Sequence, residues 1–188
     1  MDLPDDRSDR YRAFIRAAMG LHELDHPTFA GLPRAWRAVF YPSFHDAVAI
    51  TLSDLDVGGW IDVRSADRTI LEAAMVSVGW AQPTGFAAPS PPRIWESTVK
   101  EAVLESVTAA MPRLPLHSVP MAGRDGIWID YAAKVDGQLS AFSAWCPTPA
   151  RAPLHSAYAV TLCQVAVQTV TDHAAHAAVN ALAAYLRG

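Results

Sequence analysis

The strongest constraint on the fold of this chain is an Asp-Gly pair in its C-terminal half. Asp136 and Gly137 separate two segments, 127–135 and 138–145, that we interpret as strands. Asp-Gly suits a type I′ turn, in which both central residues adopt positive φ angles, and such turns join neighbouring antiparallel strands. The pair therefore predicts a β-hairpin and an antiparallel sheet around it.

Further strand-like segments precede this hairpin. The segment 36–40 is short and apolar, 46–52 alternates and is rich in Val, Ile and Thr, and 60–64 alternates in period two. Segments of this composition, separated by turn residues, are typical of an antiparallel meander. We expect 69–78 to form a fourth strand, although its Leu-Glu-Ala-Ala-Met core would also suit a helix.

Apolar residues at helical spacing predict two amphipathic helices in the first two thirds of the chain. One spans 8–21, where Ser8 is a suitable N-cap. The other spans 95–111, where Glu96 and Lys100 have the i,i+4 spacing of a favourable ion pair. Each helix would bury one apolar stripe against the sheet.

The C-terminal part of the chain predicts two more helices, 154–171 and 172–186, with Asp172 capping the second. The order of elements indicates an α+β fold, in which one antiparallel sheet, a meander plus a β-hairpin, packs against N-terminal, middle and C-terminal helices. The 188 residues are 51% hydrophobic, enough for the core of a single domain spanning 1–188. A loop at 81–93 contains four prolines, and the sequence leaves its role open.

Charge and composition argue against several classes of partner. With 15 basic and 19 acidic side chains the net charge is −4, whereas nucleic-acid and anionic membrane surfaces attract a basic excess. No apolar run reaches the length of about 18 residues that crosses a bilayer, and the first residues lack the pattern of a signal peptide. We therefore expect a cytoplasmic protein without nucleic-acid or membrane partners.

Residue usage adds expectations about source and redox state. Basic residues are 13 Arg and two Lys, and together with abundant Ala and Pro this usage indicates a GC-rich bacterial genome. The two cysteines, Cys146 and Cys163, are expected to be reduced thiols, because disulfide-stabilised folds use more. The motifs G-x-x-x-x-G-K-[ST] and G-x-G-x-x-G are missing, so no nucleotide site and no cofactor are predicted, and the nucleophile motif G-x-S-x-G is missing as well.

One short motif has a catalytic precedent: the segment 22–26 reads HELDH and matches the H-E-x-x-H pattern of zinc metalloproteases. On a helix, His22 and His26 would both reach Zn²⁺ while Glu23 acted on the zinc-bound water. Pro27, however, disfavours helical geometry at His26, and no third ligand follows at the spacing that zinc proteases use. A zinc-dependent hydrolase is therefore an alternative hypothesis.

A short repeated sequence pattern suggests a binding surface. Trp60 and Asp62 in one predicted strand, and Trp128 and Asp130 in another, are each separated by an Ile. Alternation places both Trp and both Asp side chains on one face of their strands and the Ile side chains on the other. We read these as two outer strands built alike. If their shared face is exposed, the four residues form an aromatic–acidic patch suited to a protein interface. Burial of one end of this patch under the proline-rich loop at 81–93 is the equal alternative.

Three functional hypotheses follow. The preferred one is a non-enzymatic bacterial protein that binds another protein through its sheet face or its proline-rich loops. An immunity protein that neutralises a basic toxin is one form of it, by analogy only. The alternatives are a zinc-dependent hydrolase using 22–26 and a small-ligand carrier with a pocket between sheet and helices.

Overall fold

The computed structural model describes residues 6–55, 57–83, 85, 87–111, 117–119 and 126–187. The strands are β1 Arg34–Pro42, β2 Ala47–Asp54, β3 Gly59–Ala66, β4 Arg93–Val99, β5 Ile127–Val135 and β6 Gln138–Trp145. The helices are α1 Asp6–Ala18, α2 Arg68–Ser77, α3 Glu101–Ala110, α4 Pro153–Thr169 and α5 His173–Arg187, with a short 3₁₀ helix at Pro27–Phe29. These strands form a six-stranded antiparallel sheet in the order β4-β3-β2-β1-β5-β6, and the predicted α+β fold is confirmed.

The β5–β6 hairpin has the predicted bounds. Asp136 has a φ of 51° and Gly137 a φ of 77°, the two positive angles of a type I′ turn. Val135 pairs with Gln138 directly beside this turn. Because β5 also pairs along its whole length with β1, the hairpin joins the β1–β2–β3 meander in one sheet.

Helices cover both faces of the sheet because its two central strands are buried on both. Residues 35–42 of β1 and all residues of β2 are buried. Phe40 and Ile50 belong to a hydrophobic cluster with α3, α4 and α5, and we call this side the α4 face. Val39 and Ala49 belong to a second cluster with α1 and α2, and we call this side the α1 face.

The fourth strand predicted at 69–78 is wrong, because these residues form α2. Asp67 caps this helix: its Oδ1 accepts hydrogen bonds from Thr69 N at 2.9 Å and from Ile70 N at 3.4 Å. Ile70 and Ala74, one turn apart, are the residues that α2 buries on the α1 face. The N-cap and the four-residue spacing of the buried residues therefore favour a helix more strongly than the β-branched residues of the segment favour a strand.

The helix predicted at 95–111 is wrong in its first part, where the chain forms the edge strand β4. Trp95 pairs with Val63 of β3, and the side chains of β4 alternate in burial, as strand geometry requires. α3 begins one residue after Lys100. Glu96 and Lys100 therefore do not share a helix, and the i,i+4 spacing expected for their ion pair does not arise. Pairing with β3 decides the conformation of this segment.

α1 begins before Ser8, so the predicted cap lies inside the helix and that prediction is wrong. The helix ends in a Schellman motif: Gly20 N donates to Ala17 O at 2.9 Å, and Leu21 N donates to Arg16 O at 3.0 Å. Gly20 has a φ of 65°, a conformation that favours glycine. The helix therefore stops before the histidine-containing segment that follows it.

The two C-terminal helices lie close to their predicted bounds. The predicted cap of α5 is confirmed, since Asp172 Oδ1 accepts hydrogen bonds from Ala174 N at 2.7 Å and Ala175 N at 3.0 Å. Among the residues described, no helix has both the length and the apolar character needed to cross a membrane.

The contribution of His155 to the stability of the core on the α4 face depends on pH. Its ring lies against Tyr131 and Phe142, its Nε2 donates to the His117 carbonyl at 2.7 Å, and burial lowers the pKa of its imidazole from 6.5. The neutral ring is preferred in the folded protein, so the unfolded chain binds the proton more readily. This stabilisation is complete above pH 6.5 and is lost as the pH falls from 6.5 through the lower pKa of the folded state.

We therefore expect the free energy of unfolding, measured by urea denaturation, to fall as the pH is lowered from about 7.5 to about 5.5. In His155→Gln the slope of the free energy of unfolding against pH should be smaller. His173→Gln, at the exposed start of α5, should keep the wild-type slope. An unchanged slope in His155→Gln would contradict the assignment.

Candidate functional site

Described residues of the α1 face line an open cavity near each end of α1. The larger, about 620 Å³, lies between α1, α2 and the adjoining ends of β1, β5 and β6, and we call it the aromatic cleft. The smaller, about 340 Å³, lies under the segment that follows α1, and we call it the Arg37 pocket after the buried arginine in its wall. A third cavity, about 310 Å³, lies between α4 and α5.

Three strands and two helices bring the side chains of the aromatic cleft together. Tyr41 of β1 pairs with Trp128 of β5, and Trp128 pairs in turn with Trp145 of β6, with their ring centroids 6.3 Å apart. Tyr11 of α1 lies 5.2 Å from the ring of Trp80, which follows α2. The six aromatic residues of the cleft are Tyr11, Tyr41, Phe44, Trp80, Trp128 and Trp145.

Asp130 joins α1 to the sheet at the edge of this cleft. Its Oδ1 accepts a hydrogen bond from Trp128 Nε1 at 2.7 Å, and its Oδ2 accepts one from Arg16 Nη1 at 2.8 Å. Arg12 Nε lies 3.3 Å from the same Oδ2, and its guanidinium carbon lies 4.6 Å from the centre of the Trp128 ring. Arg12 also forms an ion pair with Asp9. One carboxylate therefore fixes two arginines and the indole in place.

The rim of the cleft is more exposed than its walls. Phe44, in the turn between β1 and β2, is 73% exposed, and Trp80 is 44% exposed. Tyr41 is buried in the wall, and its hydroxyl makes no hydrogen bond of good geometry with any described residue, although the Arg16 guanidinium is near enough to affect its titration. Burial raises the pKa of Tyr41 well above its ordinary value, so the hydroxyl stays protonated.

Two polar side chains of the cleft, Ser43 and His45, are hydrogen-bonded to other parts of the protein. Ser43 Oγ donates to Gly126 O at 3.0 Å, and His45 Nδ1 lies 2.9 Å from the Tyr185 hydroxyl. Ser43 and His45 are therefore not hydrogen-bonded to each other, although both line the cavity. This arrangement differs from that of a nucleophile activated by a neighbouring base.

The four residues of the predicted patch lie on the α1 face, but in two separate places. The Ile residues between them are fully buried on the opposite face, as alternation predicts. β3 and β5 are not outer strands, because each lies second from an edge. Through the strand register, Trp60 is level with Lys134, which is six residues, or about 20 Å, along β5 from Trp128. α1 packs on the strands between them.

Neither aspartate of the patch presents an unpaired charge. Asp130 is bound by the arginines of α1, and the carboxylate of Asp62 accepts three hydrogen bonds of 2.8–3.0 Å from Arg64. Trp128 lines the aromatic cleft, whereas Trp60 and Asp62 line the Arg37 pocket. The predicted patch is thus divided between two cavities, and its acidic groups are neutralised within the protein.

The segment expected to bind zinc in the alternative hypothesis is not helical. His26 has a φ of −58° and a ψ of 147°, the extended conformation that Pro27 favours, and its Nδ1 accepts a hydrogen bond from Thr28 N. The rings of His22 and His26 stack with centroids 4.1 Å apart, and Glu23 is largely exposed. Within the described ranges, no group of three or more His, Cys, Asp or Glu side chains is arranged to hold a metal ion.

Most residues of the aromatic cleft are not distinguished by the sequence. Tyr11 and Tyr41 occupy ordinary positions on an amphipathic helix and a buried strand, so nothing in their spacing distinguishes them from core residues. The signal that was available is Phe44, a large apolar residue in the turn between two strands, where polar residues are usual.

No protein-family model, curated protein or solved structure matches this chain.

We expect Asp130→Ala to lower the free energy of unfolding by about 2–4 kcal/mol, because the arginines of α1 lose a half-buried counter-charge. Asp9→Ala, which removes an exposed partner of Arg12, should change it by less than about 0.5 kcal/mol. Urea denaturation of both variants measures the difference. A loss below about 1 kcal/mol in Asp130→Ala would contradict the role of this residue as the joint between α1 and the sheet.

For the segment 22–26, we expect the purified protein to carry zinc well below one ion per chain. His22→Ala should leave both the metal content and the thermal midpoint unchanged, because an exposed imidazole outside a helix lacks the ligand geometry. Elemental analysis checks this, and stoichiometric zinc that disappears in His22→Ala would restore the hydrolase hypothesis.

Proposed function

We propose that this chain is a non-catalytic protein-binding protein, whose partner inserts an apolar side chain into the aromatic cleft. The observation that carries this proposal is that Phe44 and Trp80 stand exposed at the rim of a cavity whose walls are also aromatic. Single exposed apolar residues are common, but two beside one aromatic cavity form a patch of the kind that marks interaction sites. A partner that covers the rim would remove both side chains from water and fill the cavity.

The residue types around the cleft support a protein interface. Trp, Tyr and Arg are enriched in binding hot spots, and the two aromatic types bury large areas while losing little conformational freedom. Trp128 and Arg12 are held rigid before any partner arrives, since both are bound to Asp130. A pre-ordered pair of this kind reduces the entropy lost on association.

The exposed rim favours a macromolecule over a small ligand at this cleft. A small molecule within about 620 Å³ would contact the walls but would leave much of Phe44 in water. A protein surface would cover the cavity and its rim together. Because Ser43 and His45 are hydrogen-bonded to other residues, they act in this proposal as ordered parts of the cleft wall.

The proposal extends to the kind of partner and its location. The net charge of −4 favours a basic partner, and neutralisation of a basic toxin by an immunity-type protein is the form we propose, by analogy. A bacterial cytoplasm, without nucleic-acid or membrane partners, belongs to the same proposal. The free thiols of Cys146 and Cys163 support a reducing compartment, and burial raises the pKa of Cys163 to about 12, which keeps it protonated and unreactive.

The decisive measurement is calorimetric binding of the purified product of the adjacent gene. Phe44→Ser and Trp80→Ser should each weaken binding by about tenfold or more, as loss of an interface anchor does. Val57→Ser is the matched control, because Val57 is 86% exposed and does not line the cleft. Its affinity should stay within about twofold of wild type.

The outcomes separate the parts of the proposal. Absence of binding would overturn the immunity-type role. Binding that Phe44→Ser and Trp80→Ser leave unchanged would overturn the cleft as the interface. Both positions are exposed enough that the variants should keep the wild-type circular dichroism spectrum.

A further inference from the structure

The Arg37 pocket lies at the end of the α1 face away from the aromatic cleft. Its floor consists of side chains from β1, β2 and β3, including Arg37, Thr51 and Trp60. Its roof is the segment from Gly20 to Leu32, which runs from the end of α1 past the 3₁₀ helix. The proposed protein interface makes no use of this cavity.

Arg37 is buried in this pocket without an acidic partner. The residue is 6% exposed, its Nε donates to Thr51 Oγ1 at 2.8 Å, and its Nη1 donates to the His22 carbonyl oxygen. The guanidinium carbon lies 5.4 Å from the centre of the Phe29 ring. In the part of the chain that the structure describes, no carboxylate oxygen lies within 4.0 Å of the Arg37 nitrogen atoms, and the two hydrogen bonds above use only part of its five N–H donors. A buried arginine is normally paired, so this charge is unusual.

Asp62 is near Arg37 but its carboxylate is already occupied. Arg64 binds both oxygens of Asp62, and Arg64 Nη1 also donates to the carbonyls of Met19 at 2.8 Å and Gly20 at 2.9 Å. Arg64 therefore donates its hydrogen bonds to Asp62 and to the carbonyls at the end of α1. Arg37 keeps unused donor capacity, and although burial lowers its pKa to about 10, it remains charged at neutral pH.

The rest of the pocket is largely apolar. Leu21, Phe29 and Leu32 contribute to the roof, while Leu55 and Trp60 border the floor. A volume of about 340 Å³ is at the small end of the range for ligand sites. One buried cation among apolar and aromatic side chains is suited to a ligand with an anionic head and a hydrophobic body.

Charge around the pocket selects the type of anion. Glu96 lies directly across from Asp62 in the β3–β4 pair and also lines the pocket. Asp62 is neutralised by Arg64, which also lines the cavity, so the exposed Glu96 is the carboxylate that disfavours a doubly charged phosphate. One guanidinium edge of Arg37 matches a single carboxylate. We propose that the Arg37 pocket binds a small organic carboxylate, with its carboxylate on Arg37 and its hydrophobic body against Trp60.

The test compares phenylacetate with its neutral analogue phenylacetamide, and with inorganic phosphate, in titrations followed by amide NMR shifts and calorimetry. Phenylacetate should bind at least about tenfold more tightly than phenylacetamide, and its shifts should map to the segment from Gly20 to Leu32 and to β3. Arg37→Met should lose this preference, whereas Arg10→Met, at an exposed position on α1, should keep it.

A second variant keeps the proposal testable if Arg37→Met does not fold. Trp60→Ala, at a half-buried position on the pocket wall, should weaken binding of phenylacetate and phenylacetamide alike, because it removes the surface for the hydrophobic body. Equal affinity for the two probes, no binding of phenylacetate at millimolar concentration, or tighter binding of phosphate would each overturn the proposal. Phe44→Ser should bind phenylacetate like wild type, so the outcome is independent of the protein-binding cleft.

Discussion

The double-sided burial of β1 and β2 is the constraint on which the rest of the structure depends. Phe40 and Val39 are neighbours in β1, yet each belongs to a different hydrophobic cluster. A sheet whose central strands are apolar on both faces must pack against other elements on both faces. Here α1 and α2 pack on one face and α4 packs on the other. On the α1 face, cavities lie near both ends of α1.

Some features set by neighbouring residues were predictable from the sequence, although the Asp67-capped helix α2 was not recognised, whereas features set by distant pairing were not predictable. The Asp136-Gly137 turn and the Asp172 cap depend on a few local hydrogen bonds, and both appear as predicted. β4 is a strand because it pairs with β3, which lies about 30 residues earlier in the sequence. Its local pattern of apolar residues suited a helix equally well.

The same distinction explains the candidate sites. Alternation alone placed Trp60 and Trp128 on one face, since it depends only on position along a strand. Their separation depends on the register of three strand pairs, and the neutralisation of Asp130 depends on Arg16, 114 residues away. The sequence likewise does not reveal that Arg37 lacks an acidic partner, because this depends on the binding of Asp62 by Arg64.

The Schellman end of α1 makes one backbone position responsible for several parts of the molecule. A Cβ atom at Gly20 would lie 3.1 Å from Arg64 Nη1, and the φ of 65° would strain any other residue there. Pushing Arg64 aside would loosen its hold on Asp62 and on the last carbonyls of the helix together. A single methyl group added at this glycine would thus disturb the helix end, the roof of the Arg37 pocket and the charge balance beneath it at once.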